Sequence, residues 1–365
     1  MPSLTPRLDK IDAGDNKIIG GNMDFWQRGT SFAAIATGAY AADRWQFRKN
    51  GASTIVHTVS RSTDVPTLAQ SGFQSVYSYL ATVTTNQATL AASDFVRVIH
   101  NIEGSDYAAL HGQNGRLQFW VKSSIAGTYS VSFANGGATR AYAATYTINA
   151  ANTWEKKAID LQFDSSGTWA FDNTAGLLAS FIIAAGTNFQ TGTLNTWQSS
   201  GSAYAATTQT NGVATNGATF QIAQVSLVQG SFASTADLPF KRAGKTIGDE
   251  LRMCQRYFEK SYDVGVNPGT GTSSSTAIFL MQAQAALSAG YALPWVFFKT
   301  SKRTTTPVVT VYGTGGTINN ITLGGTGDVA GAVGELNQNG FYANRTATSL
   351  INATLYTHFT AESEL

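Results

Sequence analysis

Apolar and polar residues alternate in short runs through the first two thirds of the chain. Thr54–Ser60 (TIVHTVS) alternates residue by residue, as a strand with one buried face does. Similar runs, rich in Val, Ile, Thr, Tyr and Phe, recur between Gly, Asn and Ser. They are Phe95–Ile102, Leu117–Lys122, Gly127–Phe133, Tyr142–Ile148, Trp154–Phe163, Leu177–Ala184 and Ala218–Val228. Many short strands with turn residues between them predict an antiparallel sandwich rather than a parallel α/β sheet. Frequent Ala and Gly blur helix against strand, most of all over Ser75–Leu90.

The period changes at Thr246–Tyr262. Ile247, Leu251, Cys254, Phe258 and Tyr262 fall at three- and four-residue steps, which is one helical face. Thr246 is placed as its N-cap, with Asp249 in the capping-box position and Glu250 near the positive end. The loop Gly265–Ser275 (GVNPGTGTSSS) then marks a boundary. A second strand set follows: Ala277–Ala283, Tyr291–Lys299, Pro307–Tyr312, Thr317–Leu323, Gly340–Asn344 and Leu350–Phe359. Pro294 and Pro307 belong at strand ends, edges or bulges. The fold class expected is all-β: an N-terminal jelly-roll β-sandwich, a short linker helix and a smaller C-terminal β-sandwich. The boundaries drawn are an irregular arm at 1–18, the first sandwich at 19–235, a linker at 236–264 with its helix at 246–262, and the second sandwich at 265–365.

Charge changes the picture most. From Asn173 to Ala236 there is no Asp, Glu, Lys or Arg, and the whole chain is 13% charged, where about a quarter is ordinary. The stretch is no membrane span; it is Thr, Asn, Gln, Ser, Gly and Ala with isolated aromatics. Such a surface suits neutral polar partners, sugars above all, and offers no ionised group for catalysis. A net charge of +2 is too balanced for a nucleic-acid binder, which shows a basic face or stripe. No run is long and apolar enough to insert in a membrane. The one cysteine, Cys254, allows no intrachain disulfide and fits a chain made in a reducing cytosol. On the apolar helix stripe it reads as a small buried hydrophobe. The first residues lack the apolar core of a signal peptide.

Catalytic constellations are sparse. His57, His100, His111 and His358 show no metal-ligand spacing. Ala286-Leu287-Ser288-Ala289-Gly290 lacks the first glycine of a nucleophile elbow. Glycoside hydrolysis needs a facing carboxylate pair, and Asp160 with Asp164, Asp43 with Asp64, or Asp94, Glu103 and Asp106 are pairings that only a fold would create. No catalytic residue and no cofactor is expected. Among seven tryptophans, Trp26, Trp45 and Trp120 read as core. Trp169 and Trp197, with Tyr204, lie in Gly/Ser/Asn-rich surroundings and are the candidate sugar platforms, whose faces are apolar and whose neighbours hydrogen-bond.

Several segments together resemble tailed-bacteriophage tail-fibre and virion-spike proteins with a carbohydrate-binding-module-like jelly roll, which also occur in prophages and gene transfer agents. They are GGNMDFWQRGTSF (Gly20–Phe32), AADRWQF (Ala41–Phe47) and NTWEKKAIDLQFDSSGTW (Asn152–Trp169). FQIAQVSLVQG (Phe220–Gly230), DELRMCQRYFEKSY (Asp249–Tyr262), FFKTSKRTTTPVVTVYG (Phe297–Gly313) and the closing FTAESEL follow in order. The resemblance implies a jelly roll, the CQRYF helix and a small C-terminal sandwich. It implies a virion surface location after release by lysis from a bacterial cytoplasm. It also implies receptor or glycan binding, commonly as a homotrimer, beside other virion structural proteins. The first residues would then be the attachment point and the second sandwich the trimer-forming unit. Some related modules hold a structural calcium with acids near the first and last strands. Asp24 stands at the first place, but the last strand reads Ala223-Gln224-Val225-Ser226, without an acid.

The function expected is therefore a non-enzymatic virion spike or fibre that binds host cell-surface polysaccharide. The alternative is a structural spacer or base carrying another receptor-binding protein. A capsule-degrading glycosidase ranks below both, since no β-solenoid repeat of the hydrolytic spikes is present.

Overall fold

Alternation builds the first unit of the fold. A computed structural model describes residues 15–51, 54–233, 237–273, 276–283, 292–345 and 353–365. The part of the expected arm at 1–14 and the elbow-like Ala286–Gly290 lie outside them. In the first unit the strands are β1 (Trp45–Asn50, of which Phe47–Asn50 belong to this unit), β2 (Val56–Ser62), β3 (Ser78–Thr85), β4 (Phe95–Glu103) and β5 (Asn114–Ser123). They continue as β6 (Gly127–Asn135), β7 (Ala141–Ile148), β8 (Glu155–Gln162), β9 (Ala175–Ala185) and β10 (Thr219–Gln229). One sheet runs in the order β2-β3-β10-β5-β8 and the other β1-β4-β9-β6-β7. The chain crosses repeatedly from one sheet to the other, from β3 to β4, β4 to β5 and β5 to β6, in a jelly-roll sandwich. The ring of Phe119 on β5 meets that of Phe181 on β9 edge-on at 4.9 Å, so these two faces form the core.

The central strands are covered on both sides. Every residue of β4 is buried, its polar Arg97, His100, Asn101 and Glu103 included. With Phe181 facing inward, Ser180 and Ile182 face outward. That outer face is covered by the uncharged segment after β9. Ala206 donates its N–H to Ser130 Oγ (3.0 Å), Thr210 to the Thr128 carbonyl (2.7 Å) and Gly212 to that of Ile183 (3.0 Å). Ile182, Ala185 and Ala205 are buried there against Phe189 and Tyr204. The charge that does lie in this layer, Arg97 of β4, is buried over the Tyr204 ring at 3.9 Å.

β8, an edge strand, is different. Along Ala158–Gln162 exposure alternates, with Ile159 and Leu161 buried and Asp160 and Gln162 outward. This edge positions the candidate site.

The second unit is α1 (Ile247–Gln255) followed by β11 (Phe258–Lys260), β12 (Ile278–Ala283), β13 (Ala292–Phe297), β14 (Val308–Tyr312), β15 (Asn320–Leu323), β16 (Gly327–Asn337), β17 (Gly340–Arg345) and β18 (Ala353–Glu362). β18 is its hub. Its later half pairs with β11 and β14, its earlier half with β12 and β15, and the sheet continues β15-β16-β17-β13. The core gathers Val311, Ile321, Leu323, Phe341, Leu355 and Phe359. A register shift lies between Ala292 and Trp295, spanning Pro294, and Pro307 stands immediately before β14.

Two expectations are corrected here. The helix begins as predicted, with Thr246 Oγ1 accepting from Asp249 N (3.1 Å) and Asp249 accepting in return from Thr246 N (3.2 Å). It stops at Gln255, not at Tyr262. Phe258–Lys260 instead pair as a strand with Glu362–Thr360, and buried Glu259 accepts from Lys302 Nζ at 2.7 Å. Sheet pairing and a buried ion pair outweigh a helical apolar period. Cys254 is buried as expected, and burial pushes its thiol well above the ordinary range.

The domain boundaries also shift. The first unit is 15–24, Ala33–Gly38 and Phe47–Lys245; the second takes Phe25–Phe32 and Ala39–Gln46 as well as Thr246–Leu365. Charge explains the return of these segments: Arg28 bonds Glu364 at 3.1 Å, and Arg44 pairs with the same carboxylate. Gln27 Nε2 also donates to the Phe258 carbonyl at 3.1 Å.

Candidate carbohydrate-binding site

Trp197 is carried by the neutral segment to the sandwich edge. Next to it, Gln198 exchanges backbone hydrogen bonds with Ala141 at the start of β7 (2.8 and 3.0 Å). Trp197 Nε1 donates to the Gln162 carbonyl at the end of β8 (2.7 Å). The indole is therefore tied to both edge strands. Its ring lies 5.5 Å from that of Tyr142, tilted by 49°. The result is a hollow of about 500 Å³. Leu161, Phe163 and Tyr142 are its buried floor; Asp160, Gln162 and Asn195 are exposed at its rim beside half-buried Trp197.

A second hollow of about 320 Å³ shares Asp160, Leu161 and Gln162 with the first and adds Asn114, Ser231 and Phe232. A third, about 330 Å³, includes Asn135, Thr139, Thr168 and Trp169. Trp169 meets Trp197 edge-on at 5.5 Å.

The charges at the rim are placed by strand register. Arg116 on β5 lies directly opposite Asp160 on β8, so their side chains share a face. Arg116 donates Nε and Nη2 to the two Asp160 oxygens at 2.7 and 2.8 Å, the bidentate geometry of a strong pair. The guanidinium is fully buried, with Phe232 over it at 5.3 Å, whereas the Asp160 side chain is 49% exposed. Asp164, at the same hollow, accepts from Arg140 Nε and from Ser166 N (2.9 Å). Burial, reinforced by the Asp160 charge, raises the Tyr142 phenol above its ordinary range, so Tyr142 remains a neutral donor. An apolar ring wall, amide groups and carboxylate acceptors together suit the mixed faces of a sugar.

The structure separates the three predicted platforms. Trp197 is the one that lines the hollow while half-exposed. Trp169 is corrected: it is 7% exposed, stacked on Tyr107 at 4.7 Å, with Nε1 donating to the Ser166 carbonyl (2.8 Å). Its polar flanks hide an aromatic cluster of Tyr107, His111 and Phe171, and Phe171 is the exposed member. Tyr204 is half-buried at another place. It stacks in parallel on Phe189 at 5.2 Å, and the Arg97 guanidinium lies 3.9 Å over its ring. It belongs to the packed cover and not to the Trp197 hollow.

Asp24 does not fit a calcium site of the implied kind. Its oxygens accept from Arg242 Nε (2.7 Å) and Nη2 (3.1 Å) and from Asn22 Nδ2 (2.8 Å). A guanidinium already supplies positive charge there, and Gln224 donates Nε2 to Ser75 Oγ at 2.9 Å. No group of three potential metal ligands occurs among the described residues.

Asp160, Gln162, Tyr142 and Asn195 were not singled out as binding residues by sequence. The signal available was the outward phase of an edge strand, which places Asp160 and Gln162 side by side two residues apart.

No protein-family model matches the chain, and no curated protein matches it. Among solved structures, it is similar to the enzymatically active domain of tailspike protein 4 of bacteriophage CBA120, at 14% identity and a TM-score of 0.29. That match covers 54% of this chain and 21% of the other. A family 11 carbohydrate-binding module from Clostridium thermocellum matches at 10% identity and 0.29, covering 55% and 95%. A putative sugar-binding protein from Bacteroides thetaiotaomicron matches at 12% and 0.32, covering 59% and 100%. At such scores the likenesses say nothing of a ligand. What the chain's own strands and hollow define is an all-β protein with a jelly-roll sandwich and a sugar-suited edge.

Proposed function

We propose that this chain is a non-enzymatic spike or fibre protein of a virion surface that binds host cell-surface polysaccharide. The observation that carries the binding half is Trp197, held half-exposed between two edge strands above a floor of Tyr142, Leu161 and Phe163 and beside neutral amide groups. The virion half rests on the ordered sequence resemblance from Gly20 to the end. Asp160 and Asp164 share the hollow, but each already accepts from an arginine, which supports binding over bond cleavage. A single shallow site binds weakly, and a homotrimer repeated on a particle would gain avidity.

The spacer reading is favoured by one observation: Trp169 and Tyr204 are used for packing. Retention of the purified protein on host polysaccharide decides between the two. Binding that Trp197→Ala removes supports the proposal; no retention on any host glycan leaves the spacer. Release of reducing ends during the same incubation would restore the glycosidase.

A further inference from the structure

Resting on the saccharide reading of the Trp197 hollow, we propose that this site discriminates by charge: it takes neutral and amino-bearing glycans and refuses glycans rich in uronic or other acidic sugars. The argument is the direction in which its rim ion pair, Arg116–Asp160, faces. At the rim the Asp160 side chain is 49% exposed while its partner Arg116 is fully buried. Arg116 is held behind the carboxylate by register, by Phe232 over it and by the Ala233 carbonyl, which accepts from Nη2 at 2.9 Å. Asp164 lines the same hollow but does not add to this: its side chain is 8% exposed and that of Arg140, which donates Nε to it, 16%, so the charge argument rests on Asp160.

The nearest cation on the outward face of β8 is Lys156, which is engaged by Asp237 and by the Leu238 carbonyl. No Lys or Arg lines either hollow that shares Asp160. A ligand therefore meets carboxylate at the rim, with the compensating guanidinium out of reach. Like charges brought together across a recognition surface oppose binding, and such repulsion is an efficient way to exclude a competitor. An ammonium on an amino sugar meets the opposite sign.

The test is a glycan array carrying neutral, uronate and amino-hexose polymers, probed at low salt with the wild-type protein. Neutral and amino polymers are expected to bind and uronates to be excluded by roughly tenfold, a gap that closes in high salt through screening. Asp160→Asn alone leaves Arg116 buried without its partner and can unfold the unit. The double variant Arg116→Met/Asp160→Asn is therefore the second probe, and its ratio of uronate to neutral retention is expected to rise about tenfold over the wild type as the repulsion is removed. Uronates bound by the wild type as well as neutral glycans, and lost in Trp197→Ala, would overturn the charge selection and leave the saccharide site standing. Absence of binding to any polymer would overturn both.

Discussion

Trp197 and Tyr204 lie seven residues apart in one uncharged segment and end in opposite roles. Tyr204 is stacked on Phe189 under Arg97 and helps cover the outer face of the β4–β9 pair. Trp197 reaches the sandwich edge, where β8 turns Asp160 and Gln162 outward. The segment's composition is the same at both places. What differs is the strand it meets: over the central pair the Tyr204 ring packs on Phe189 and Arg97, while the edge strand leaves polar groups beside the Trp197 ring. Neutrality and aromatics therefore mark a site only where an edge strand supplies the polar partners.

The sharpest way to break this contrast is to exchange the two effects. Tyr204→Ala should lower stability by about 3 kcal/mol, as loss of a packed aromatic does, with glycan binding per folded molecule unchanged. Chemical denaturation followed by a binding assay checks it; a binding defect without a stability loss would make Tyr204 a ligand residue after all. The next effect is pH. His57 is buried in the first unit with neither ring nitrogen hydrogen-bonded, and burial lowers its pKa to about 4. The unfolded chain takes the proton below about 6.5 while the folded chain does not. Stability present above pH 6.5 is thus lost as pH falls towards 4, by about 2 to 3 kcal/mol. Melting of wild type and His57→Phe across that window should show the pH slope shrinking in the variant. Binding comparisons belong above it.

Trp197→Ala should weaken glycan retention per folded molecule about tenfold, near 1.4 kcal/mol, and should also lower the melting temperature, because the indole bonds Gln162 and packs on Tyr142 and Trp169. The smallest effect sharpens the comparison from outside. Thr246→Ala removes the α1 cap and should cost about 1 kcal/mol, in the second unit alone. Hydrogen exchange would locate that loss, and retention through Trp197 should be untouched.

Much of this was legible in the sequence where the local pattern and the tertiary need agree. The first-unit runs became strands, Trp45 and Trp120 are buried, and Thr246 caps its helix with Asp249. The misreadings share a cause in contacts far apart in sequence. Phe258–Lys260 follow a helical period but pair with residues near 360. Phe25–Phe32 leave their sequence neighbours for Glu364. Gly327–Asn337 (GDVAGAVGELN) forms β16 without a strand-like composition, as part of the sheet between β15 and β17. At the site, Trp197 was visible as an aromatic in polar surroundings, but so were Trp169 and Tyr204. Only the placement of Tyr107 and Phe189 tells them apart. The Arg116–Asp160 pair, set by cross-strand register, has no spacing that a linear reading detects.

Tryptophan fluorescence during titration with host polysaccharide puts the account to its most direct trial, run in parallel on the wild type and on Trp197→Phe. A saturable spectral change in the wild type that disappears in the variant, with no reducing ends formed, is the expected result. A change of equal size in Trp197→Phe, or sugar release accompanying it, would contradict a cleavage-free site built on Trp197.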